Sequence, residues 1–315
     1  MQRSLLYCML PLMICLSSKS NQTLAADKIS LKVATVCMNA VEDTQANLET
    51  FFSYMEEASA QGAHLIVFPE FALQQNPCGG SSGYIPTQNE LDYLRDAAET
   101  IPGDSTQKIV DKARELNIYV VFGMTEYSPD DDKIYNSSVF LGPDGVIGKY
   151  RKINLWDSSG GGNEHLCHER GKEIGVFDSP IGKIGLMTCF DMYRNLGDTL
   201  ANKGADLLVT VAAWLSSYSG IYEQVTKRSA SQTKLWHIVS NQLGKVGHTE
   251  NYGHSRIIDP NGNIIADTGS AEGMIIAEID LLIDAPVVDV DIELTTPVNP
   301  SQSIAATWGK IKDIK

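Results

Sequence analysis

A cysteine, a glutamate and a lysine each stand at the end of an apolar or β-prone segment of this sequence. Cys189 directly follows the apolar run 184–188, and Glu70 and Lys152 close two further runs. Continuous apolar runs of this length predict buried strands, and polar side chains at strand ends collect at one edge of an α/β sheet. A thiol, a carboxylate and an ammonium group in one place could perform nucleophilic catalysis. The carboxylate would act as the base and the ammonium would bind an oxyanion.

Each of these residues also has an ordinary structural interpretation. A single cysteine is typical of a protein core, and a single charged residue is typical of a solvated surface. Histidine is the usual base for a catalytic cysteine. The six histidines of the chain are His64, His165, His168, His237, His248 and His254. None of them stands in a segment typical of a cysteine protease, so the similar settings of the other three residues favour a site without histidine.

The elements that must position these residues follow from hydrophobic periodicity. Apolar side chains spaced along one helical face predict helices over Thr44–Gln61 and Ser105–Asn117. Three Pro-x-Gly segments, beginning at Pro143, Pro180 and Pro260, each join two β-prone runs and predict antiparallel hairpins. Strands that alternate with helices, together with hairpins, indicate an α/β protein with mixed sheets covered by helices.

Three segments resemble the carbon–nitrogen hydrolase, or nitrilase, superfamily. They are Val67–Glu70, Lys149–Lys152 and Gly185–Asp191, in the order that the family shows. Weaker matches, among them Tyr135-Asn136, extend the resemblance over about residues 30–282. The resemblance implies a four-layer αββα sandwich with two mixed β-sheets.

The residue types, taken with the resemblance, assign a role to each side chain. Cys189 would attack an amide carbon and form a thioester, and Glu70 would be the general base. Lys152 and the backbone N–H of Phe190 would stabilise the oxyanion, and Lys152 would also favour the thiolate. Glu164 matches a second family glutamate that orients the lysine. This chemistry requires neither a cofactor nor a metal.

The substrate pocket is less well defined by the sequence. Trp156, Trp214, Tyr218 and the loop 74–90 are expected to shape it. The segment Thr188–Asp191 is locally similar to the secreted biotinidase and vanin branch of the family. The substrate itself is expected to be a small amide.

A metal site is the alternative interpretation of the segment Glu164–Glu169, which contains histidines, a cysteine and carboxylates. Structural zinc sites usually draw ligands from two spaced pairs, and no second pair is evident. A polar loop over the mouth of the active site is therefore the favoured interpretation.

Composition predicts one soluble domain. The chain has 315 residues, 43% of them hydrophobic, and a net charge of −14 without a basic stripe. This charge argues against nucleic acids and anionic membranes as partners. We expect a domain at 27–282 and a C-terminal arm at 283–315, which in the family often packs across a homodimer.

The first 26 residues predict a secretory signal peptide. Arg3 precedes a 12-residue apolar run that is too short to span a bilayer, and small residues follow near Ala25 and Ala26. The mature protein, 27–315, would then be periplasmic or extracellular, with no membrane contact after cleavage. An uncleaved anchor is the alternative.

Export would place four cysteines in an oxidising compartment. If Cys189 stays free as the nucleophile, at most one disulfide can form within the chain. Cys78 and Cys167 lie in predicted loops and are the favoured pair, whereas Cys37 lies in an apolar strand and is expected in the core.

The sequence favours an exported amidase and leaves two alternatives open. A nitrilase or an N-carbamoyl-amide hydrolase would use the same three residues. A non-catalytic binding protein could keep the fold, but the intact Glu70, Lys152 and Cys189 argue against it.

Overall fold

The structure is a computed structural model that describes residues 27–80 and 83–283. The predicted signal peptide, 1–26, lies outside the described residues, as does the predicted arm beyond residue 283. Two six-stranded mixed sheets form the centre of the molecule. None of the helices in the described part of the chain is long and apolar enough to cross a membrane.

The first sheet has the strand order β14-β1-β2-β3-β4-β5. Its strands are β1 (Asp27–Cys37), β2 (Leu65–Val67), β3 (Tyr119–Ser128), β4 (Lys133–Gly142), β5 (Gly145–Arg151) and β14 (Gly273–Ile283). β1, β2 and β3 run parallel, and the other neighbours are antiparallel.

The second sheet has the order β13-β12-β9-β8-β7-β6. Its strands are β6 (Val176–Phe177), β7 (Ile184–Thr188), β8 (Leu207–Ala212), β9 (Trp236–Asn241), β12 (Arg256–Ile258) and β13 (Ile264–Asp267). β7, β8 and β9 are parallel. A separate hairpin joins β10 (Leu243–Val246) and β11 (Thr249–Tyr252).

Within the described residues, five α-helices accompany the two sheets. They are α1 (Thr44–Ala60), α2 (Gln88–Ala97), α3 (Asp104–Leu116), α4 (Leu196–Asn202) and α5 (Ser219–Thr233). Alternate residues of each central strand face opposite sides, because successive side chains of a strand point to opposite faces. On β2, Leu65 and Val67 pack towards the second sheet, whereas Ile66 packs with α1 and α3. The layers therefore run helix, sheet, sheet, helix, and the predicted αββα sandwich is confirmed.

The predicted local elements agree closely with this structure. The two predicted helices correspond to α1 and α3 within one residue at each end. Each Pro-x-Gly turn joins an antiparallel pair, namely β4–β5, β6–β7 and β12–β13. Helix α2 was not predicted, and only its first three residues fall within the predicted pocket loop 74–90. A capping box between Thr87 and Glu90 was its local signal.

Candidate active site

The ends of β2 and β5 bring a buried ion-pair network together. Lys152 Nζ donates to Glu70 Oε1 at 2.9 Å and to Glu164 Oε2 at 2.7 Å. The exposed fractions of the three side chains are only 2%, 2% and 7% for Lys152, Glu70 and Glu164. A buried charge is stable only when it is paired and hydrogen-bonded, and this network meets that condition.

Asn136 on β4 links the two carboxylates and was not among the predicted site residues. Its Nδ2 donates to Glu70 Oε1 at 2.6 Å and to Glu164 Oε1 at 2.7 Å. Asn136 opens a glycosylation sequon, but it is fully buried in the folded chain. In the sequence, only the resemblance of the Tyr135-Asn136 pair to a family landmark pointed to Asn136. That resemblance does not reveal which groups the Asn136 side-chain amide contacts.

Glu70 is also held from its other side. Its Oε2 accepts from the backbone N–H of Ala213 at 2.7 Å, and its carbonyl oxygen accepts from Gln242 Nε2 at 2.7 Å. Its backbone lies against Gly123 of β3, where an added Cβ would stand 2.5 Å from the Glu70 Cα. Glycine is therefore required for this close approach. The segments Ala212–Trp214 and Asn241-Gln242 resemble family landmarks, but this resemblance does not reveal their contacts with Glu70.

Cys189 lies in a sharp turn directly after β7. Its φ angle of 47° falls in the left-handed region, which residues other than glycine rarely adopt. The Asp191 carboxylate stabilises the turn by accepting from Thr188 N at 2.9 Å and from Tyr150 Oη at 2.7 Å. It also accepts from the backbone N–H of Asn154 at 3.0 Å. The turn projects the thiol into a cavity that Glu70 and Glu164 also line.

Burial and charge set the protonation of the site. Desolvation and the Glu70 carboxylate raise the pKa of the Cys189 thiol well above its ordinary value, although Lys152 acts in the opposite direction. Desolvation disfavours the charged form of Lys152, but Glu164 and Glu70 outweigh it and raise the pKa of Lys152. The resting site therefore combines a neutral thiol with an ammonium group. The expected influence of Lys152 in favour of the thiolate is present but is not sufficient, so the thiol needs a base.

Phe190 directly follows the nucleophile and is the second residue of the 3-10 segment Cys189–Asp191. Backbone N–H groups at the start of such a turn lack partners within the turn, which suits an oxyanion donor. The Phe190 ring is buried and stacks on Tyr193 with their centroids 5.3 Å apart. The role of this N–H group in catalysis stays a prediction.

Two adjoining cavities share Cys189, Trp156, Ala213 and Leu215 in their linings, and one has a polar wall whereas the other has an apolar wall. The polar wall includes Asn76, Asn163, Gln242, Thr249 and Asn251. The apolar wall includes Trp156, Phe190, Trp214, Leu215 and Tyr218. The residues that the sequence placed at the pocket thus lie at these two cavities, and loop 74–90 contributes to the polar wall. The hairpin β10–β11 also contributes, which the sequence did not indicate.

The polar segment Glu164–Glu169 contributes to the ion-pair network rather than to a cluster of metal ligands. Glu164 contacts Lys152, and His168 is a buried imidazole 5.3 Å from the Phe71 ring. Burial lowers the pKa of His168 to about 4, so this imidazole is neutral at physiological pH. Within residues 27–80 and 83–283, no group of three histidine, cysteine, aspartate or glutamate side chains could hold a metal ion.

Comparisons with known proteins extend over most of the chain. The carbon–nitrogen hydrolase family model matches residues 32–283. The omega-amidase NIT2 of Homo sapiens is 29% identical over 262 residues, which cover 80% of this chain and 89% of the human protein. A nitrilase of Pyrococcus abyssi is 33% identical over 258 residues, which cover 80% of this chain and 90% of the archaeal protein.

Two solved structures share the fold. The crystal structure of Saccharomyces cerevisiae Nit3, a member of branch 10 of the nitrilase superfamily, aligns with a TM-score of 0.69 and 24% identity. It covers 91% of this chain and 96% of Nit3. A mutant of an amidase from Nesterenkonia AN1 aligns with a TM-score of 0.64 and 18% identity, over 79% of this chain and 90% of the amidase.

Proposed function

The chain belongs to the carbon–nitrogen hydrolase family, whose members hydrolyse carbon–nitrogen bonds other than peptide bonds, and from that premise we propose that it is an exported thiol amidase. The observation that carries the proposal is the buried Glu70–Lys152–Glu164 network beside the Cys189 thiol, at the wall of a cavity. The similarity to an omega-amidase supports an amide as the substrate.

The first chemical step joins the thiol to the substrate. Glu70 takes the proton of Cys189, and the sulfur attacks the amide carbon. The electron pair of the carbonyl moves to its oxygen, where the Lys152 ammonium and the Phe190 N–H stabilise the negative charge. Because the pKa of the Cys189 thiol is raised by burial and by Glu70, this proton transfer is needed to generate the nucleophile.

The second step releases the nitrogen. The proton held by Glu70 passes to the leaving amine or ammonia as the carbon–nitrogen bond breaks, and a thioester remains on Cys189. Glu70 then accepts a proton from water, and the resulting hydroxide attacks the thioester. The acid leaves, and the thiol recovers its proton from Glu70.

Glu164 is proposed as a positioning residue. Its Oε2 accepts both from Lys152 Nζ at 2.7 Å and from the backbone N–H of Trp156 at 2.8 Å. With these two contacts and the Asn136 hydrogen bond, the Glu164 carboxylate cannot turn without breaking a bond. It therefore holds the ammonium in one place while Glu70 exchanges protons.

The apolar wall supports a preference among amides. Aromatic side chains surround one side of Cys189, including Trp156, Trp214 and Tyr218. We place the acyl group of the substrate against this wall, because burial of apolar surface there would favour binding. Within the substrate class, this predicts amides of apolar acids.

Export is proposed on the amino-terminal sequence alone. Arg3, the apolar run and the small residues near Ala26 support cleavage of a signal peptide. The test is the intact mass of protein secreted by, or extracted from, cells that express the full chain. A mature terminus at Ala26 or Asp27 supports export, and an intact Met1 terminus in cytosolic protein contradicts it.

The activity is tested with purified protein and a panel of small amides, ureides, pantetheine-like compounds and nitriles, with detection of ammonia and amine. Wild-type protein should hydrolyse amides, and Cys189→Ala should abolish turnover while its circular dichroism stays unchanged. Iodoacetamide should label Cys189 of the folded protein before the fully buried Cys37. Hydrolysis by Cys189→Ala at the wild-type rate would refute the mechanism.

A nitrilase is the second candidate, favoured by the similarity to the Pyrococcus abyssi protein. The same thiol, base and ammonium would serve a nitrile. Release of acid and ammonia from nitriles, with no turnover of any amide in the panel, would select this candidate over the amidase.

A further inference from the structure

Two cysteines that are distant in the sequence meet beside the candidate active site. The Cys78 thiol lies close enough to Cys167 to raise the pKa of the Cys167 thiol, and both residues are free cysteines in the structure. Neither residue takes part in the proposed mechanism.

The contact belongs to a well-packed junction between two segments. Asn163, which is only 1% exposed, accepts from the backbone N–H of Gly80 at 3.0 Å and donates to the carbonyl of Tyr84 at 3.0 Å. These bonds hold the loop that contains Cys78 against the turn that contains Cys167. These hydrogen bonds therefore place the two segments that carry the cysteines side by side.

Both partners of this junction contribute to the catalytic cavity. The loop of Cys78 supplies Asn76 and Gly79 to the polar wall. The backbone N–H of Cys167 donates to the Glu164 carbonyl at 3.0 Å, so Cys167 closes the turn that carries Glu164. A covalent bond between the two sulfurs would tie the cavity wall to the turn that positions Glu164.

The two thiols differ in their access to solvent. Cys78 is 1% exposed, whereas Cys167 is half-buried and lines an open cleft together with Arg95 and His165. A small disulfide could reach Cys167 first, and Cys78 would react only through Cys167. The neighbouring Cys78 thiol, together with burial, raises the pKa of the Cys167 thiol, so the exchange should be slow at neutral pH and faster at alkaline pH.

We propose that Cys78 and Cys167 form a disulfide that fixes the cavity wall to the Glu164 turn when the protein meets an oxidising disulfide. The Cys167 thiolate attacks the small disulfide, which forms a mixed disulfide and releases one small thiolate. The Cys78 sulfur then attacks the Cys167 sulfur and displaces the second small thiolate. The two protein sulfurs lose two electrons and two protons, which the small disulfide takes up as two thiols. This proposal does not rest on the amidase activity.

The test uses the full chain incubated at pH 8.5 with excess oxidised glutathione or, in parallel, with a reducing phosphine. Each sample is unfolded in guanidinium with iodoacetamide, digested, and analysed by mass spectrometry. We expect one cross-linked species that contains Cys78 and Cys167 in the oxidised sample only, with Cys37 alkylated in both. Alkylation of both thiols after oxidation, a stable glutathione adduct on Cys167, or a cross-link of either residue to Cys37 or Cys189 would overturn the proposal.

A second measurement follows stability. Oxidation should raise the thermal midpoint of the wild-type protein by about 5 °C or more, because the cross-link restricts the unfolded chain. The variants Cys78→Ser and Cys167→Ser should show no difference between oxidised and reduced samples. A matched variant, Cys37→Ser, should keep the difference if it folds. A wild-type midpoint that does not depend on the redox state would count against a stabilising disulfide, whatever the variants do.

Discussion

The replacement of Asn136 by alanine probes whether the two buried carboxylates act as one unit. Asn136 donates to Glu70 at 2.6 Å and to Glu164 at 2.7 Å, and its side chain is fully buried. Alanine removes both hydrogen bonds without adding bulk or charge. The Lys152 ammonium keeps its two direct contacts, so the ion pairs themselves are not deleted.

The size of the effect follows from the charge of the acceptors. A hydrogen bond to a charged group contributes about 1.5–3 kcal/mol, so two bonds amount to about 3–6 kcal/mol before relaxation. Water that enters the space left by the amide would recover part of this, and a net loss of about 3 kcal/mol is expected. For a domain of this size, the thermal midpoint should fall by about 6–12 °C.

The pH dependence distinguishes a role in the site from a purely structural role. Burial alone would raise the pKa of Glu164, but the Lys152 ammonium and the hydrogen bonds from Lys152 and Asn136 lower it. A carboxylate that loses a donor holds its proton to higher pH. Because Glu164 must be ionised to hold the Lys152 ammonium in place, activity should disappear at a higher pH in Asn136→Ala. A loss of about 1.4 kcal/mol in the stabilisation of the Glu164 carboxylate moves the acidic limb of kcat/KM upward by about one pH unit.

The assay measures kcat/KM against pH for an amide that the wild-type enzyme hydrolyses, at a temperature where both proteins are folded. Ser137→Ala is the matched control, because Ser137 lies on the same strand and donates to the buried Glu126 at 2.5 Å, outside the site. It should lose stability and leave the acidic limb unmoved. The reasoning is refuted if folded Asn136→Ala keeps the wild-type limb, or if both variants shift it equally.

Two further predictions concern the thiol and the cavity. The rate at which iodoacetamide alkylates Cys189 in the free enzyme should still increase with pH above pH 9. The reason is that burial and Glu70 raise the pKa of the thiol above its ordinary value of 9.0. An alkylation rate that levels off below pH 8 would contradict this. For primary amides from propionamide to hexanamide, kcat/KM should rise about fourfold per added methylene, since each buried methylene contributes about 0.8 kcal/mol at an apolar wall. A flat or falling series, or an equal gain for chains that end in a hydroxyl, would show that the acyl group does not lie against Trp156 and Tyr218.

The central residues of the site could be predicted because their signals are local. Glu70 and Cys189 each follow an apolar run that can be recognised in a short window, and Lys152 closes a β-prone run before a predicted loop. The structure brings Glu70 and Lys152 into direct contact and places Cys189 at the same cavity. Their catalytic roles await the experiments above.

Other contributors could not be predicted, for physical reasons that differ. Asn136 lies in a strand that also contains Lys133, Ser137 and Ser138, and nothing in its window tells which side chains face it across the sheet. Ala213 acts through its backbone N–H, which every residue except proline possesses. Gln242 contacts a backbone carbonyl of a residue far away in the chain.

By itself, the sequence determined the periodic elements, the order of the three chemical residues and the family to which the chain belongs. These features depend on side-chain type and on the spacing of residues within a single helix or strand. Only the tertiary structure decided which carboxylate oxygen each donor reaches, how strongly the thiol is desolvated, and which side chains and backbone groups surround Glu70. Hydrogen bonds and desolvation change over fractions of an ångström, and they depend on distances between residues that the chain separates by tens of positions.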